Sequence, residues 1–271
     1  MFFKEEKIKR YLKDLKSVLN QKEISIEHLK KYPASIQDKL PADFSKLKGE
    51  NFKVGERWGG KEKNIWFKAQ IEVPENWELN QNNVYLEIIA GRGHSGNLRG
   101  SESLIYLNGE ILQGLDRNHS LVKLRKKELK NRNLEIVIKA FSGLEERKHE
   151  FQKAALILRN KNIEDYYYLA RSLYQSIETM TIGENLREKI INILNQSLNI
   201  VDFRKIKSEE FLQTAAEANQ YLKDSLAELK TESNLPKITA VGHSHIDVAW
   251  LWRLMHTREK TSRTFSTVLK L

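Results

Sequence analysis

The spacing of apolar residues changes twice along this chain, and few folds accommodate such a change. Residues 4–20 place Ile8, Tyr11, Leu12, Leu15, Val18 and Leu19 at three- and four-residue steps, the period of an amphipathic helix. From about residue 50 the step becomes two. In NIWFKAQIEV, Ile65, Phe67, Ala69, Ile71 and Val73 alternate with Trp66, Lys68, Gln70 and Glu72, which predicts a half-buried strand ended by Pro74. NVYLEIIA (83–90) and LEIVIKAF (134–141) repeat the pattern, and LIYLNGEIL (104–112) sets Asn108-Gly109 between apolar runs, as a tight hairpin requires. Gly91, Gly93, Gly96 and Gly100 crowd one loop, and FQKAALILR closes the series.

After residue 160 the helical period returns on three successive faces. They carry Ile163, Tyr167, Ala170, Tyr174 and Ile177, then Leu186 to Val201, then Phe211 to Leu229, with breaks expected at Gly183 and near Asp202. Asn234 and Pro236 stop the last helix, and the apolar run Ile238–Val241 then reads as a buried parallel strand opening an α/β unit. The expected fold is therefore mixed. It comprises an N-terminal helical segment (1–48), an antiparallel β-sandwich (49–160), a three-helix linker (161–231) and the first βα unit of a (β/α) barrel (232–271).

Composition narrows the function classes. The 271 residues hold 40% hydrophobic and 30% charged side chains, a globular balance, and no stretch approaches the roughly 20 apolar residues of a membrane span. The first residues lack a signal-peptide core, so the expectation is a cytoplasmic protein without membrane attachment. Cysteine is absent, which leaves His, Asp and Glu for any metal site. A net charge of +10 invites a nucleic-acid reading, but the cations are interleaved with 36 acidic residues and no basic block alternates with aromatics, so nucleic acid is not an expected partner.

The chemistry concentrates in KITAVGHSHIDVAWLW (237–252). In an extended segment His243, His245 and Asp247 project to one side, and imidazole with carboxylate suits Zn²⁺ or a similar divalent ion. A metal takes about four ligands, so others must come from elsewhere. Trp250 and Trp252 follow directly, as core packing or as an aromatic wall beside the polar groups. Elsewhere, His119 beside Asp116 and Arg117 could form a ligand-binding cluster but reads better as a turn-stabilising or domain-packing one, Arg57-Trp58 with two glycines is a weak sugar platform, and Tyr166-Tyr167-Tyr168 is expected to bury one ring.

GHSHIDVAWLW, followed by TREKTSRTFSTVLKL, resembles the start of the catalytic domain of glycoside hydrolase family 38, the class II α-mannosidases of bacterial type. RWGGKEKNIWFKAQIEVPENW (57–77) and IYLNGEILQGLDRNH (105–119) resemble segments of that family's N-terminal β-domain. The resemblance implies a metal-dependent, retaining hydrolase that releases terminal α-linked mannose, with α-mannoside oligosaccharides as substrates in mannose metabolism. It implies His245 and Asp247 as ligands of Zn²⁺ or another divalent ion, Asp247 and Trp250 beside the sugar, and His243 in a supporting place. Arg253 stands where relatives often carry proline. The nucleophile and the acid/base carboxylate of the family match no position here, so no catalytic residue is assigned in this fragment and the 271 residues alone are expected to be inactive. Two other classes remain open: a carbohydrate-binding or interaction module using the sandwich alone, and a different metallohydrolase built on the same H-x-H-x-D. Oligomeric state is also open, a homo-oligomer included.

Overall fold

The computed structural model describes residues 2–91, 101–179, 183–231, 239–243 and 245–270. The chain divides into two compact units. One comprises Met1–Lys22, Glu78–Asn83 and Leu158–Ala240, and the other Glu23–Trp77, Val84–Ile157 and Val241–Leu271.

The first unit is helical. Helices α1 (Phe2–Ser17), α2 (Lys161–Thr179), α3 (Glu184–Ile200) and α4 (Glu209–Thr231) pack around one apolar core that includes Ile8, Leu15, Tyr166, Leu194, Phe211 and Leu222. The three helices expected as a linker are thus joined by the N-terminal helix in a four-helix bundle. Gly183 stands at the N-terminus of α3 and a 3₁₀ turn over Phe203–Lys205 separates α3 from α4, as the expected breaks required. Tyr166 and Tyr167 are both buried and only Tyr168 is exposed, so two rings of the tyrosine run enter the core, not one. The Tyr166 hydroxyl meets Ser197 Oγ at 3.0 Å, and burial holds its ionisation well above the ordinary tyrosine range.

The second unit is a β-sandwich. In chain order its strands are β1 (Asn20–Ser25), β2 (His28–Ala34), β3 (Glu50–Lys53), β4 (Arg57–Gly59), β5 (Asn64–Glu72), β6 (Asn82–Ile89), β7 (Glu102–Leu107), β8 (Glu110–Leu115), β9 (Leu121–Leu124), β10 (Asn133–Phe141), β11 (Lys148–Glu150) and β12 (Lys153–Asn160). A six-stranded sheet has the order β3-β2-β5-β10-β7-β8, a four-stranded sheet the order β1-β12-β6-β9, and β11 pairs with β4. Every pairing in the larger sheet is antiparallel. β7 and β8 join through Asn108 (φ 50°) and Gly109 (φ 87°), the two positive φ values of a type I′ turn. Aromatic rings fill the interior: Phe67 lies 4.9 Å from Phe52, 5.1 Å from Phe151 and 5.4 Å from Trp58.

The structure corrects the sequence reading at four points. The first 48 residues are helical only over Phe2–Ser17, and β1 and β2 bring the sandwich forward to residue 20. These strands escaped notice because NQKEIS and HLKKYPA carry mostly polar side chains, in keeping with partial burial. β5 is buried on both faces around Trp66, whose ring packs with Tyr106 at 5.9 Å and Phe44 at 6.2 Å under the segment that follows β2. Trp58 is 3% exposed and its indole N–H donates to the Ala90 carbonyl at 2.6 Å, so it is a core residue and no sugar platform. Finally, residues 239–243 and 245–247 form no strand, and Val241 is 83% exposed. A parallel strand needs a neighbour to satisfy its backbone groups, and no strand of the described residues pairs with this segment. Ile238, Gly93, Gly96 and Gly100 lie outside the described residues. No helix among the described residues is long and apolar enough to cross a membrane.

Candidate functional site

The H-x-H-x-D segment is held to the sandwich by the helix that follows it, α5 (Leu254–Lys270). The buried residues of this helix are His256, Thr257 and Arg263. Its N-terminus is closed reciprocally: the Arg253 N–H donates to His256 Nδ1 at 3.2 Å, and the His256 N–H donates to the Arg253 carbonyl at 2.9 Å. Thr257 Oγ1 accepts from the Ala249 N–H at 3.2 Å and from the Trp252 indole at 3.0 Å. These bonds hold Ala249 at φ 53°, a left-handed backbone that ordinarily costs about 1 kcal/mol for a side-chain-bearing residue, and they turn the chain between Asp247 and the helix.

Charged groups seat α5 on the six-stranded sheet. Glu102 accepts from Lys260 at 2.9 Å and from Arg263 at 2.6 Å. Burial alone would raise the Glu102 carboxyl, but the adjacent Arg263 and Lys260 cations outweigh it and hold the group below the ordinary carboxylate range. Glu259 pairs with Lys139 at 3.1 Å and with Arg263 at 3.2 Å, and Lys139 also donates to the carbonyls of Ile36 and Asp38. At the far end Lys270 meets Glu128 at 2.8 Å, and the Arg125 guanidinium donates to the Lys270 carbonyl at 2.6 Å, capping the last turn. Gly114 makes the approach sterically feasible. A Cβ there would stand 2.7 Å from the Arg263 carbonyl oxygen and 2.8 Å from Thr267 Oγ1, while its N–H donates to that hydroxyl at 3.2 Å.

Between α5, the turn after β8 and the H-x-H-x-D segment lies a pocket of about 370 Å³. His245, Asp247, Asp116, His119 and Trp252 line it, with Lys260 and Arg263. His245 Nε2 and Asp247 Oδ1 are 2.9 Å apart and both line the pocket, whereas His243, expected on the same side, does not line it. His243 is exposed and forms no hydrogen bond among the described residues. Trp250 is 58% exposed and stands edge-on to Trp252 at 5.7 Å; of the two, Trp252 lines the pocket, with the Lys260 ammonium 4.7 Å from its ring centre.

No group of three or more His, Cys, Asp or Glu capable of holding a metal occurs among the described residues. The two donor atoms present are of a kind that suits such an ion, but they hydrogen-bond to each other at 2.9 Å, inside the about 3.4 Å between ligands at about 2.1 Å in a tetrahedral set. The pair thus offers the right donor types and an incomplete set. Glu102, Lys139 and Arg263 were not anticipated as neighbours of the site. The only local signal was Glu259 and Arg263 at an i,i+4 spacing, since Arg263 and Glu102 meet across 161 residues.

Comparison with known proteins accounts for both parts of this arrangement. The family described as alpha-mannosidase, jelly roll domain, matches residues 21–171, and the glycosyl hydrolases family 38 N-terminal domain matches residues 235–271. Alpha-mannosidase G of Dictyostelium discoideum is 25% identical over 292 residues, covering 97% of this chain and 25% of that protein. Alpha-mannosidase 2C1 of Mus musculus is 24% identical over 262 residues, covering 86% and 23%. The chain spans about a quarter of the length of the curated relatives it matches. A Ruminococcus gnavus beta-glucuronidase crystal structure aligns at 10% identity and a TM-score of 0.36, over 51% of this chain and 28% of that one. Since the jelly-roll match takes in more than half of the residues and the second match holds His245 and Asp247, the chain belongs to the alpha-mannosidases of glycosyl hydrolase family 38.

Proposed function

We propose that this chain forms the N-terminal part of a metal-dependent α-mannosidase that releases terminal α-linked mannose from oligosaccharides with retention of configuration. The observation that carries the reading is the His245–Asp247 pair, 2.9 Å apart in the segment matched by the glycosyl hydrolases family 38 N-terminal domain and lining a pocket of about 370 Å³. In this reading His245 and Asp247 are two ligands of a Zn²⁺ or similar ion, Asp247 and Trp250 lie beside the sugar, and His243 supports the ligands from outside. When bound, such an ion polarises the oxygens it touches and orients the sugar hydroxyls.

The 271 residues by themselves are proposed to be inactive. Retaining hydrolysis needs two carboxyl groups about 5 to 5.5 Å apart across the scissile bond. In the final segment the other carboxylate is Glu259, and it is committed to Lys139 and Arg263. Exposed on the sandwich there is no tryptophan platform at Trp58 to favour a glycan-binding module, because that ring is buried.

The test is hydrolysis of 4-nitrophenyl α-mannoside by this chain and by the full-length product of its reading frame, after chelation and with Zn²⁺ or Co²⁺ restored. Turnover is expected in the long protein alone, lost with chelator and regained with metal. In that protein His245→Ala and Asp247→Ala should each lower kcat/KM by about 100-fold or more. A folded, metal-loaded long protein that turns over no α-mannoside would end the proposal.

A further inference from the structure

We infer that His119, supplied by the sandwich, is a substrate-positioning residue of the site that begins at His245 and Asp247. The inference rests on the α-mannosidase reading and extends it to a part of the molecule that the catalytic motif does not include.

Two Asp–His pairs face the same pocket. One is Asp247–His245 and the other is Asp116–His119, in the turn that follows β8. Asp116 Oδ1 accepts the backbone N–H groups of Asn118 at 2.7 Å and His119 at 2.9 Å, which fixes the turn. The same carboxylate lies 3.0 Å from His119 Nδ1. A carboxylate in that position holds a proton on Nδ1 and fixes the ring's orientation, which leaves Nε2 for a partner outside the turn. Among the described residues nothing bonds to His119 Nε2. An oriented imidazole nitrogen on a residue that lines the pocket suits the hydroxyl of a polyol, which can both donate and accept.

Charge points the same way. The cations lining the pocket, Lys260 and Arg263, are both taken up by Glu102. The pocket therefore favours a neutral sugar over a phosphorylated or carboxylated one. Nor is the spacing between the two pairs left to a loose loop. β8 is pinned to α5 through Gly114 and Thr267, and α5 in turn holds the H-x-H-x-D segment through Thr257. The sandwich thus contributes one wall of the sugar site and not merely a support beneath it.

The test uses the full-length protein with His119→Ala, His119→Gln and Asp116→Asn, assayed on 4-nitrophenyl α-mannoside and on an α-linked mannobiose, with melting temperatures taken alongside. Losing one hydrogen bond to a sugar hydroxyl should raise KM about tenfold in His119→Ala. The expected result keeps kcat within about twofold and the melting temperature unchanged, as befits uniform binding. Gln, whose amide reaches a similar point, should recover part of the loss, and Asp116→Asn should fall between. Wild-type kcat and KM in His119→Ala would overturn the inference while leaving the enzyme reading intact. Loss of kcat in step with the melting temperature in both His119 variants would also overturn it, assigning the ring to the turn alone. A wild-type protein without mannosidase activity would instead defeat the parent reading, and this inference with it.

Discussion

The α1–α4 bundle and the seat of α5 bury helices in opposite ways. In the bundle the contact surfaces are apolar, with Ile8, Leu15, Leu194, Phe211 and Leu222 all removed from water. On α5 the buried residues are His256, Thr257 and Arg263, while Leu254, Phe265, Val268 and Leu269 remain exposed. Apolar burial supplies energy without direction, so a greasy helix tolerates small shifts along its neighbours. Ion pairs and hydrogen bonds are met in one register only. They return little net energy, because desolvation consumes most of the Coulombic gain, yet a mismatched partner is expensive. The bundle is built to be stable, and the seat of α5 to be accurate.

The largest expected effect lies on the apolar side. Phe211→Ala should cost about 4 kcal/mol in urea unfolding, the usual penalty for emptying a buried phenylalanine site. A cost below about 1 kcal/mol would show that the bundle core is not what holds these helices.

Next comes the ionic side. Glu259 is 13% exposed and Lys139 6%. Glu259→Gln leaves a buried ammonium with carbonyl partners alone and should weaken α5 docking by about 3 kcal/mol, read from hydrogen exchange of its amides. The pair Lys139→Met with Glu259→Leu should recover most of that loss, because a packed apolar replacement removes the penalty along with the attraction. If the single variant behaves like an exposed pair, with an effect under about 1 kcal/mol, the contrast between the two regions collapses.

The smallest effect is a pH dependence. The folded Glu102 carboxyl is held below its ordinary value, so its contribution is fully present above the unfolded value of about 4.3 and is lost as pH falls through the depressed folded value. Solvent screening limits that contribution to about 1 kcal/mol. Acid should therefore reduce the protection of α5 before that of α3, followed residue by residue in hydrogen exchange. Equal loss in both helices would assign the acid response to the whole molecule.

Much of this architecture was legible where one face of an element is buried. The two-residue alternation marked β5 and β10, the Asn108-Gly109 pair gave the hairpin with its turn, and the 3.6-residue period gave all four bundle helices. β1 and β2 were missed because strands with few buried side chains carry no alternation to read. Trp66 was placed on the solvent side of β5 because sequence cannot show that another segment covers that face. At the site, the spacing of His245 and Asp247 announced their meeting. The link between Asp116 and His119 was also local, as Asp followed three residues later by His in a turn. That the two pairs line one pocket depends on chain paths far apart in sequence, and no pattern in either segment carries that information.

Gly114 has a consequence for how such a molecule can be recombined. The sandwich accepts α5 because one position in a strand lacks a methyl group, so the two segments behave as lock and key although they sit in different sequence domains. An engineer grafting this C-terminal segment onto a sandwich with any larger residue at that position would find the helix displaced, with the His245–Asp247 pair carried along.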